Sequence, residues 1–311
     1  MSQDVTNCPQ CARRTPAARG ACIYCGAALV VERIEVAPAQ KNIDPAEHAF
    51  NAILETGRAR VDERAEAALA SALQVEQDEA RALIAATRPV PMARCQHRQE
   101  AELIAALIRT CGLSARVVAD EDLRLEVEMP RARRITRTEN ELHVQHSGGS
   151  MTVPTSEIKL FVLGAIRNTR IDYMEGSSGM RKQAGGVLDA AEFRSEEMLL
   201  DVYSTSLERS FRIRSDAFDY SGLVQPMSFR AEINFQMMID LLRALAPQAL
   251  FDEEFARLRG LLARAWPERS HTEARGLKRT GLTYRPVAQA SVTSNNRDQF
   301  ERYSRLMFLS V

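Results

Sequence analysis

The sequence predicts a multidomain α+β protein, and three observations support that prediction. The chain has 311 residues, more than the roughly 100–200 residues of a typical single domain. Four of its six cysteines lie within the first 25 residues. Apolar residues recur at helical spacing as far as residue 111, and from about residue 123 they alternate with a period of two. We therefore expect a small cysteine-rich segment, then a small α/β domain, then an antiparallel β-domain.

Composition excludes several classes of protein. The 41 basic and 41 acidic side chains give a net charge of zero, and 45% of the residues are hydrophobic. Such values are ordinary for a globular protein that buries a core, and they exclude collagen-like, wholly disordered and disulfide-dense chains. A net charge of zero also argues against a surface devoted to nucleic acid or anionic lipid, and leaves a local patch as the only place for such ligands.

The N-terminus and the apolar runs of the sequence bear on the cellular location of the protein. The N-terminus has neither a basic start nor an apolar run, so it does not have the pattern of a secretory signal. The longest apolar stretches, such as Leu160–Ile166, fall far short of the roughly 20 residues that a membrane helix needs. Clustered cysteines suit metal-bound thiolates in a reducing interior. We expect a cytoplasmic protein with no transmembrane segment.

Two Cys-x2-Cys pairs, Cys8 with Cys11 and Cys22 with Cys25, are separated by ten residues. Four thiolates complete a closed tetrahedral site, which is the structural site that Zn²⁺ prefers. The competing interpretation, two redox pairs, needs a βαβ context that the short spacing leaves no room for. About the first 30 residues resemble a zinc ribbon that holds Zn²⁺ through these four cysteines, and the ribbon domain is predicted to span residues 1–36. With no ligand position left for water, the site is expected to be structural.

Residues 44–122 carry the pattern of a small α/β domain. Apolar residues recur at helical spacing over 62–73, 77–86 and 99–111, and short strands are predicted at 90–95 and 115–119. On the 99–111 helix, the residues expected to be buried are Leu103, Ile104, Leu107, Ile108 and Cys111. The start of the domain is ambiguous, because Asp44–Glu47 could begin a helix while His48–Glu55 could form a strand.

A family resemblance covers this domain from His48 to Ala119. The segments Phe50–Leu54, Asp78–Ile84, Gln99–Leu103 and Cys111-Gly112 resemble the C-terminal domain of the bacterial ribosomal stalk protein. The resemblance implies a strand at 48–55 and the order βααβαβ. It also implies a domain that docks protein partners and catalyses nothing. A second resemblance, to short βαβ signal-transducing domains, covers residues 90–119.

Residues 123–249 are predicted to form about seven short strands followed by a helix near Arg230–Ala246. Many short antiparallel strands are typical of a barrel or a sandwich. The segment resembles a bacterial pleckstrin-homology-like (PH-like) domain in Val153–Ile158, Phe211–Ile213 and Phe218–Tyr220. That resemblance implies an antiparallel β-barrel with a C-terminal helix. Gly176–Gly186 is predicted to be an exposed loop between two strands, because it offers almost no apolar side chain to pack.

Residues 250–311 are predicted to form a helical basic tail. From residue 256 onwards they carry eleven basic and four acidic side chains. Basic segments with interleaved aromatic residues can bind nucleic acid or lipid. However, Phe300, Tyr303 and Met307 fall at helical spacing, which favours a helix docked on the body of the protein.

No complete catalytic set is found in the sequence. Cys95 and His97 would share a face only in a strand that continues past residue 95, and His143 and His146 would lie on opposite faces of a strand. Asp120–Asp122 is better explained as a turn than as a cation site. We therefore predict a non-enzymatic zinc-binding adaptor or regulatory protein that binds partner proteins. The alternative is a nucleic-acid-binding regulator that uses the ribbon and the tail. A membrane-surface partner is less favoured, and a hydrolase with an unrecognised site is the third class.

Overall fold

The chain divides into two compact units, residues 1–37 and 38–311. The structure is a computed structural model, and it describes residues 5–7, 10–16, 24–25, 48–55, 63–175, 188–223, 226–280 and 283–311. Among the predictions above, those for Cys8, Cys22, Asp44–Glu47 and the loop 176–186 lie outside the described residues. The predicted segments 44–122, 123–249 and 250–311 all belong to the second unit.

In the first unit, strand β1 (Val5–Asn7) pairs antiparallel with β2 (Arg14–Pro16), with Thr6 opposite Thr15. In sequence, the first cysteine pair falls in the connection between these two strands. Ala12, in the same connection, has a positive φ of 56°. Cys11 lies in a turn of this connection.

The second unit begins with a three-stranded sheet and three helices. They are β3 (Phe50–Glu55), α1 (Glu63–Leu73), α2 (Gln77–Ile84), β4 (Val90–Cys95), α3 (Arg98–Thr110) and β5 (Ser114–Ala119). This order agrees with the predicted βααβαβ, and residues 50–55 are a strand. Strand β3 is central and pairs antiparallel with both β4 and β5. Helix α3 therefore connects two strands that run in the same direction on either side of β3.

The burial of α3 agrees with the prediction in part. Ile104 and Ile108 are buried, whereas Leu107 and Cys111 are only half-buried. The prediction for Leu103 was wrong, because 41% of its surface is exposed. The buried face is completed by the small residues Ala101 and Ala105. They let the helix lie close to the sheet, so the buried stripe is narrower than the apolar pattern suggested.

Two neighbouring residues of α3 offer a matched test of this placement. Replacing Ile104 by alanine should lower the free energy of unfolding by about 2–5 kcal/mol, because it removes buried methyl groups and leaves a cavity. Replacing Leu103 by alanine should change it by less than about 0.5 kcal/mol, as surface substitutions do. Urea denaturation followed by circular dichroism measures both. Equal losses would show that the helix is rotated from the position described.

The second unit continues with a nine-stranded sheet and a helix. In chain order these elements are β6 (Arg131–Arg137), β7 (Glu141–His146), β8 (Gly149–Pro154), β9 (Ile158–Glu175), β10 (Leu188–Ser204), β11 (Phe211–Arg214) and α4 (Ala231–Leu245). The C-terminal part adds β12 (Leu250–Asp252), α5 (Phe255–Leu262), β13 (Arg269–Thr280), β14 (Thr283–Asn295) and α6 (Arg297–Phe308). The strand order is β13-β14-β9-β10-β11-β6-β7-β8, with β12 also paired to β9.

The molecule is thus a mixed α+β protein, but the predicted closed barrel is not found among the described residues. Strands β8 and β13 lie at opposite ends of the sheet and do not pair. Closure through β9 is prevented because β10 takes one of its edges, while β12 and β14 take the other. One face of the sheet still packs against α4, through Phe235, Met238, Ile239 and Leu242.

Strand β9 is one continuous strand of 18 residues, longer than the short strands that the sequence predicted. Gly164 has a packing role. The ring of Phe300 lies directly against its backbone, and a methyl group at residue 164 would overlap with that ring. The glycine thus marks the place where α6 crosses the sheet.

The predicted helical basic tail has a different structure from the one expected. Two helices, α5 and α6, lie at its ends, but residues 269–295 form the long hairpin β13–β14 between them. The docking prediction for α6 is confirmed, because Phe300, Tyr303 and Met307 are all buried. The hairpin was missed because its sequence is mainly polar and lacks the period-two alternation of a half-buried strand.

Candidate functional site

An apolar line on the outer face of α4 is the clearest candidate for a functional surface. Phe229 is fully exposed, and Met227, Ile233 and Met237 are each at least one-third exposed. Residues 229, 233 and 237 are four positions apart, so the last two lie one above the other on the helix and the first precedes them at its start. We call Met227, Phe229, Ile233 and Met237 the α4 stripe.

The segment that leads into α4 is held by a buried side chain. Asn234 accepts a hydrogen bond from the Ser228 backbone N–H at 2.7 Å and donates one to the Ser228 carbonyl at 2.8 Å. The Ser228 hydroxyl in turn accepts from the backbone N–H of Arg230 at 3.2 Å. These bonds hold the backbone on either side of Phe229.

The surroundings of the α4 stripe carry both signs of charge. The Arg230 Nε lies 3.6 Å from the Glu232 Oε2, and Gln236 donates a hydrogen bond to Asp240 at 3.0 Å. The Arg243 guanidinium stacks over the ring of Phe251, 4.4 Å from its centroid. The sequence prediction missed this surface. The sequence did contain an indication of this surface: the α4 segment has apolar residues on two faces, and only one of these faces can pack on the sheet.

Of the predicted zinc ligands, Cys11 and Cys25 lie in described turns, the first half-buried and the second exposed. Next to them, the Arg13 guanidinium lies over the Tyr24 ring, 5.2 Å from its centroid. Arg13 follows Cys11 by two residues and Tyr24 directly precedes Cys25, so this contact brings the two cysteine-containing segments close together. Cysteine thiolates are the ligands that structural zinc sites use, so the residue types of the four cysteines fit the metal.

The other sequence-derived candidates do not combine into a reactive site. Strand β4 ends at Cys95, whose thiol is buried, while His97 is exposed. Burial raises the pKa of Cys95 to about 11, so the reactive thiolate is suppressed at neutral pH. The other candidate, His143, forms a hydrogen bond between its Nδ1 and the Thr152 hydroxyl at 3.0 Å. Among the described residues, no three His, Cys, Asp or Glu side chains are grouped to hold a metal ion.

Asp120 is the centre of a buried ionic network that the sequence did not reveal. Arg94 donates to Asp120 Oδ2 from Nη2 at 2.7 Å and from Nε at 3.1 Å. Arg302 and Asn51 donate to Oδ1 at 2.6 and 2.8 Å. Trp266 Nε1 donates to the Asn51 side-chain oxygen at 2.8 Å. All five side chains are at least nine-tenths buried, so the network joins elements of the fold and is not open to substrate.

Two further buried aspartates contact the next two residues of α6. The Tyr303 hydroxyl donates to Asp252 at 2.7 Å, and burial together with that carboxylate raises the pKa of Tyr303. The Ser304 hydroxyl donates to Asp201 at 2.7 Å. Three consecutive residues of α6, Arg302, Tyr303 and Ser304, thus bind three different aspartates on three sides of the helix. This arrangement fixes the rotation of α6, which is a structural role.

Most of the described basic side chains of the C-terminal segment form ion pairs with acidic side chains. The ion pairs are Arg257–Glu254, Arg259–Glu196, Arg264–Glu79, Arg269–Asp298, Arg297–Glu197 and Arg302–Asp120. Of the arginines in this segment whose side chains are described, Arg305 alone has no such ion pair. The excess of positive charge seen in the sequence is therefore not presented as a continuous basic face by these residues.

Comparison with protein-family models, curated proteins and solved structures found no match. None of the helices in the described part of the chain has the length and apolar character needed to cross a membrane.

Proposed function

We propose that this chain is a non-enzymatic adaptor that binds a partner protein through the α4 stripe. The observation that carries the proposal is the exposed apolar line Phe229, Ile233 and Met237, preceded by a fixed backbone. Exposed apolar patches of this kind are typical of interaction surfaces. The proposed partner presents an amphipathic helix, because apolar side chains spaced by three and four residues match the spacing along α4.

The charges around the α4 stripe favour a protein over the other partners. An anionic membrane or a nucleic acid is bound by a rim of basic side chains. Here Arg230 is matched by Glu232, and Asp240 lies one helical turn from Met237. The pairing of the described C-terminal arginines supports the same choice. A protein surface with mixed charges is the better complement.

The size of the surface indicates a reversible complex. A standard stable interface buries about 800 Å² on each partner. The four side chains of the α4 stripe supply much less than that. We therefore infer a regulated or transient contact, and not a permanent dimer of this chain through α4.

The other modules complete the proposal. Residues 1–36 form a zinc ribbon in which Cys8, Cys11, Cys22 and Cys25 hold one structural Zn²⁺; the hairpin β1–β2 and the Arg13–Tyr24 contact support it. The α/β part is proposed to be a docking domain like that of the ribosomal stalk protein, and the β-domain an opened relative of the PH-like fold. The protein is proposed to act in the cytoplasm.

A photo-crosslinking residue placed at position 229 should capture a partner protein in cell extract, and one placed at position 193 should not. Phe193 is the matched control, because it is also an exposed phenylalanine but lies on β10. With the partner purified, Phe229→Asp should weaken binding at least tenfold, while Phe193→Asp leaves it unchanged. Calorimetry measures both affinities, and thermal unfolding should show both variants folded.

Three results would contradict this proposal. Crosslinks between two copies of the chain would make α4 a self-association surface. Binding to anionic vesicles that is lost in Phe229→Asp would make it a lipid surface. An affinity for oligonucleotides that falls steeply with salt would favour the nucleic-acid-binding alternative.

A further inference from the structure

A cleft of about 280 Å³ lies between α6, β11 and the segment 125–129. Its lining is mainly polar, and Leu125, Val127 and Met129 contribute the apolar part. The volume corresponds to about nine water-sized groups. The cleft is remote in sequence from the α4 stripe and shares no residue with it, so the inference drawn from it does not depend on the proposed function.

Arg305 lines this cleft and is incompletely satisfied. Only 5% of its surface is exposed, and its Nη2 donates to the Val127 carbonyl at 2.5 Å. Its Nη1 is buried and has no hydrogen-bond acceptor in the part of the chain that the structure describes. Within the described residues, Arg305 also forms no ion pair with a carboxylate. A buried cationic donor without an acceptor is costly, and such a group points to a ligand that supplies one.

Arg212, on the same cleft, is fully occupied. Its Nε and Nη2 donate to Asp201 at 2.6 and 2.9 Å, and its Nη1 donates to Glu301 at 2.8 Å. Although burial opposes its charge, these two carboxylates raise the pKa of Arg212. One cation is thus set against two anions, and Arg305 brings this group of four charges to neutrality, while the exposed Glu128 adds one negative charge at the cleft. The cleft offers an unused donor without a large surplus of positive charge.

We propose that the cleft binds a small organic monocarboxylate. Its carboxylate oxygens accept hydrogen bonds from the Arg305 guanidinium, and its short alkyl chain packs against Leu125, Val127 and Met129. Guanidinium–carboxylate bonds are among the strongest in proteins, and the planar fork suits a carboxylate. A dianion such as phosphate is disfavoured, because Glu301 and Glu128 stand at the same cleft.

Titration of the full chain with sodium butyrate, followed by calorimetry and by ligand-observed NMR, tests the proposal. Butyrate should bind, whereas chloride at equal ionic strength and phosphate should not. Butyramide has the same alkyl chain without the charge, and it should bind at least tenfold more weakly. Equal binding of butyramide, preferential binding of phosphate, or no binding of butyrate would each overturn the proposal.

Two variants act in opposite directions at this site. Arg305→Gln should weaken butyrate binding at least tenfold, because the charged donor is lost. Glu128→Gln should tighten it roughly two- to fivefold, because an exposed like charge is removed without disturbing the core. Arg257→Gln, at an exposed arginine of α5, is the control and should change nothing. If Arg305→Gln fails to fold, Glu128→Gln still decides, and an unchanged affinity there refutes the assignment.

Discussion

Replacing Asp120 by alanine is expected to lower the free energy of unfolding by about 3–5 kcal/mol, enough to lower the melting temperature by roughly 10 °C. The carboxylate is 9% exposed and accepts hydrogen bonds from Arg94, Arg302 and Asn51. Its removal takes the carboxylate of Asp120 away from two buried guanidinium groups. Burial already lowers the pKa of Arg302, so the loss of this partner falls on a cation that is poorly solvated.

Asp78→Ala is the matched control for this prediction. Asp78 also pairs with an arginine, Arg81, at 3.1 Å, but 94% of its side chain is exposed. Exposed pairs contribute little, so the melting temperature should stay within about 1 °C of the parent. Differential scanning calorimetry measures both variants. A double variant, Asp120→Ala with Arg302→Met, should lose less stability than the sum of its two single changes, because the two charges are removed together. If Asp120→Ala melts with the parent, α6 is not held through this network.

Replacing Cys22 by serine should abolish zinc binding and unfold residues 1–36, while residues 38–311 stay folded. A segment of this size has almost no core, so metal binding and folding are coupled. The second unit has its own buried core and does not need the ribbon for it. Metal analysis of protein prepared under reducing conditions should find one zinc per parent chain and none in the variant.

Cys111→Ser is the control for the zinc prediction. Cys111 is a half-buried thiol at the end of α3, and its loss should leave the zinc content unchanged. NMR spectra of the two variants should differ in a simple way: only Cys22→Ser should lose the signals of the first 36 residues. Parent protein without zinc, or a Cys22→Ser variant that unfolds throughout, would refute the assignment of an independent structural metal site.

The three aspartates around α6 hold this helix in its place within the second unit. Asp120 follows β5, Asp201 lies on β10 and Asp252 ends β12. Arg302, Tyr303 and Ser304 reach them in three successive directions because consecutive helical residues are about 100° apart around the axis. The C-terminal helix thereby ties the α/β part to the large sheet. Each of the three contacts constrains the position of the same helix, so we expect their loss to be cooperative.

The sequence alone determined those elements whose residues report on their immediate surroundings. The helices of the α/β part and the docking face of α6 follow from apolar residues at helical spacing, which records a buried face directly. Strand β4 was placed at its observed bounds, Val90–Cys95, because prolines and a helix start delimit it. The four cysteines likewise indicate metal chemistry by residue type and spacing alone, so the zinc prediction requires no knowledge of distant contacts.

Tertiary structure decided what depends on partners distant in the sequence. The hairpin β13–β14 is polar and forms because β9 offers it an edge, so no local pattern indicated it. The same pairing keeps the predicted barrel open. Asp120 has the sequence context of an acidic turn, but its partners Arg94 and Arg302 lie 26 and 182 residues away along the chain. The α4 stripe is exposed because the opposite face of that helix fills the core. Periodicity reports that a face is apolar, but only packing decides which of two apolar faces is covered.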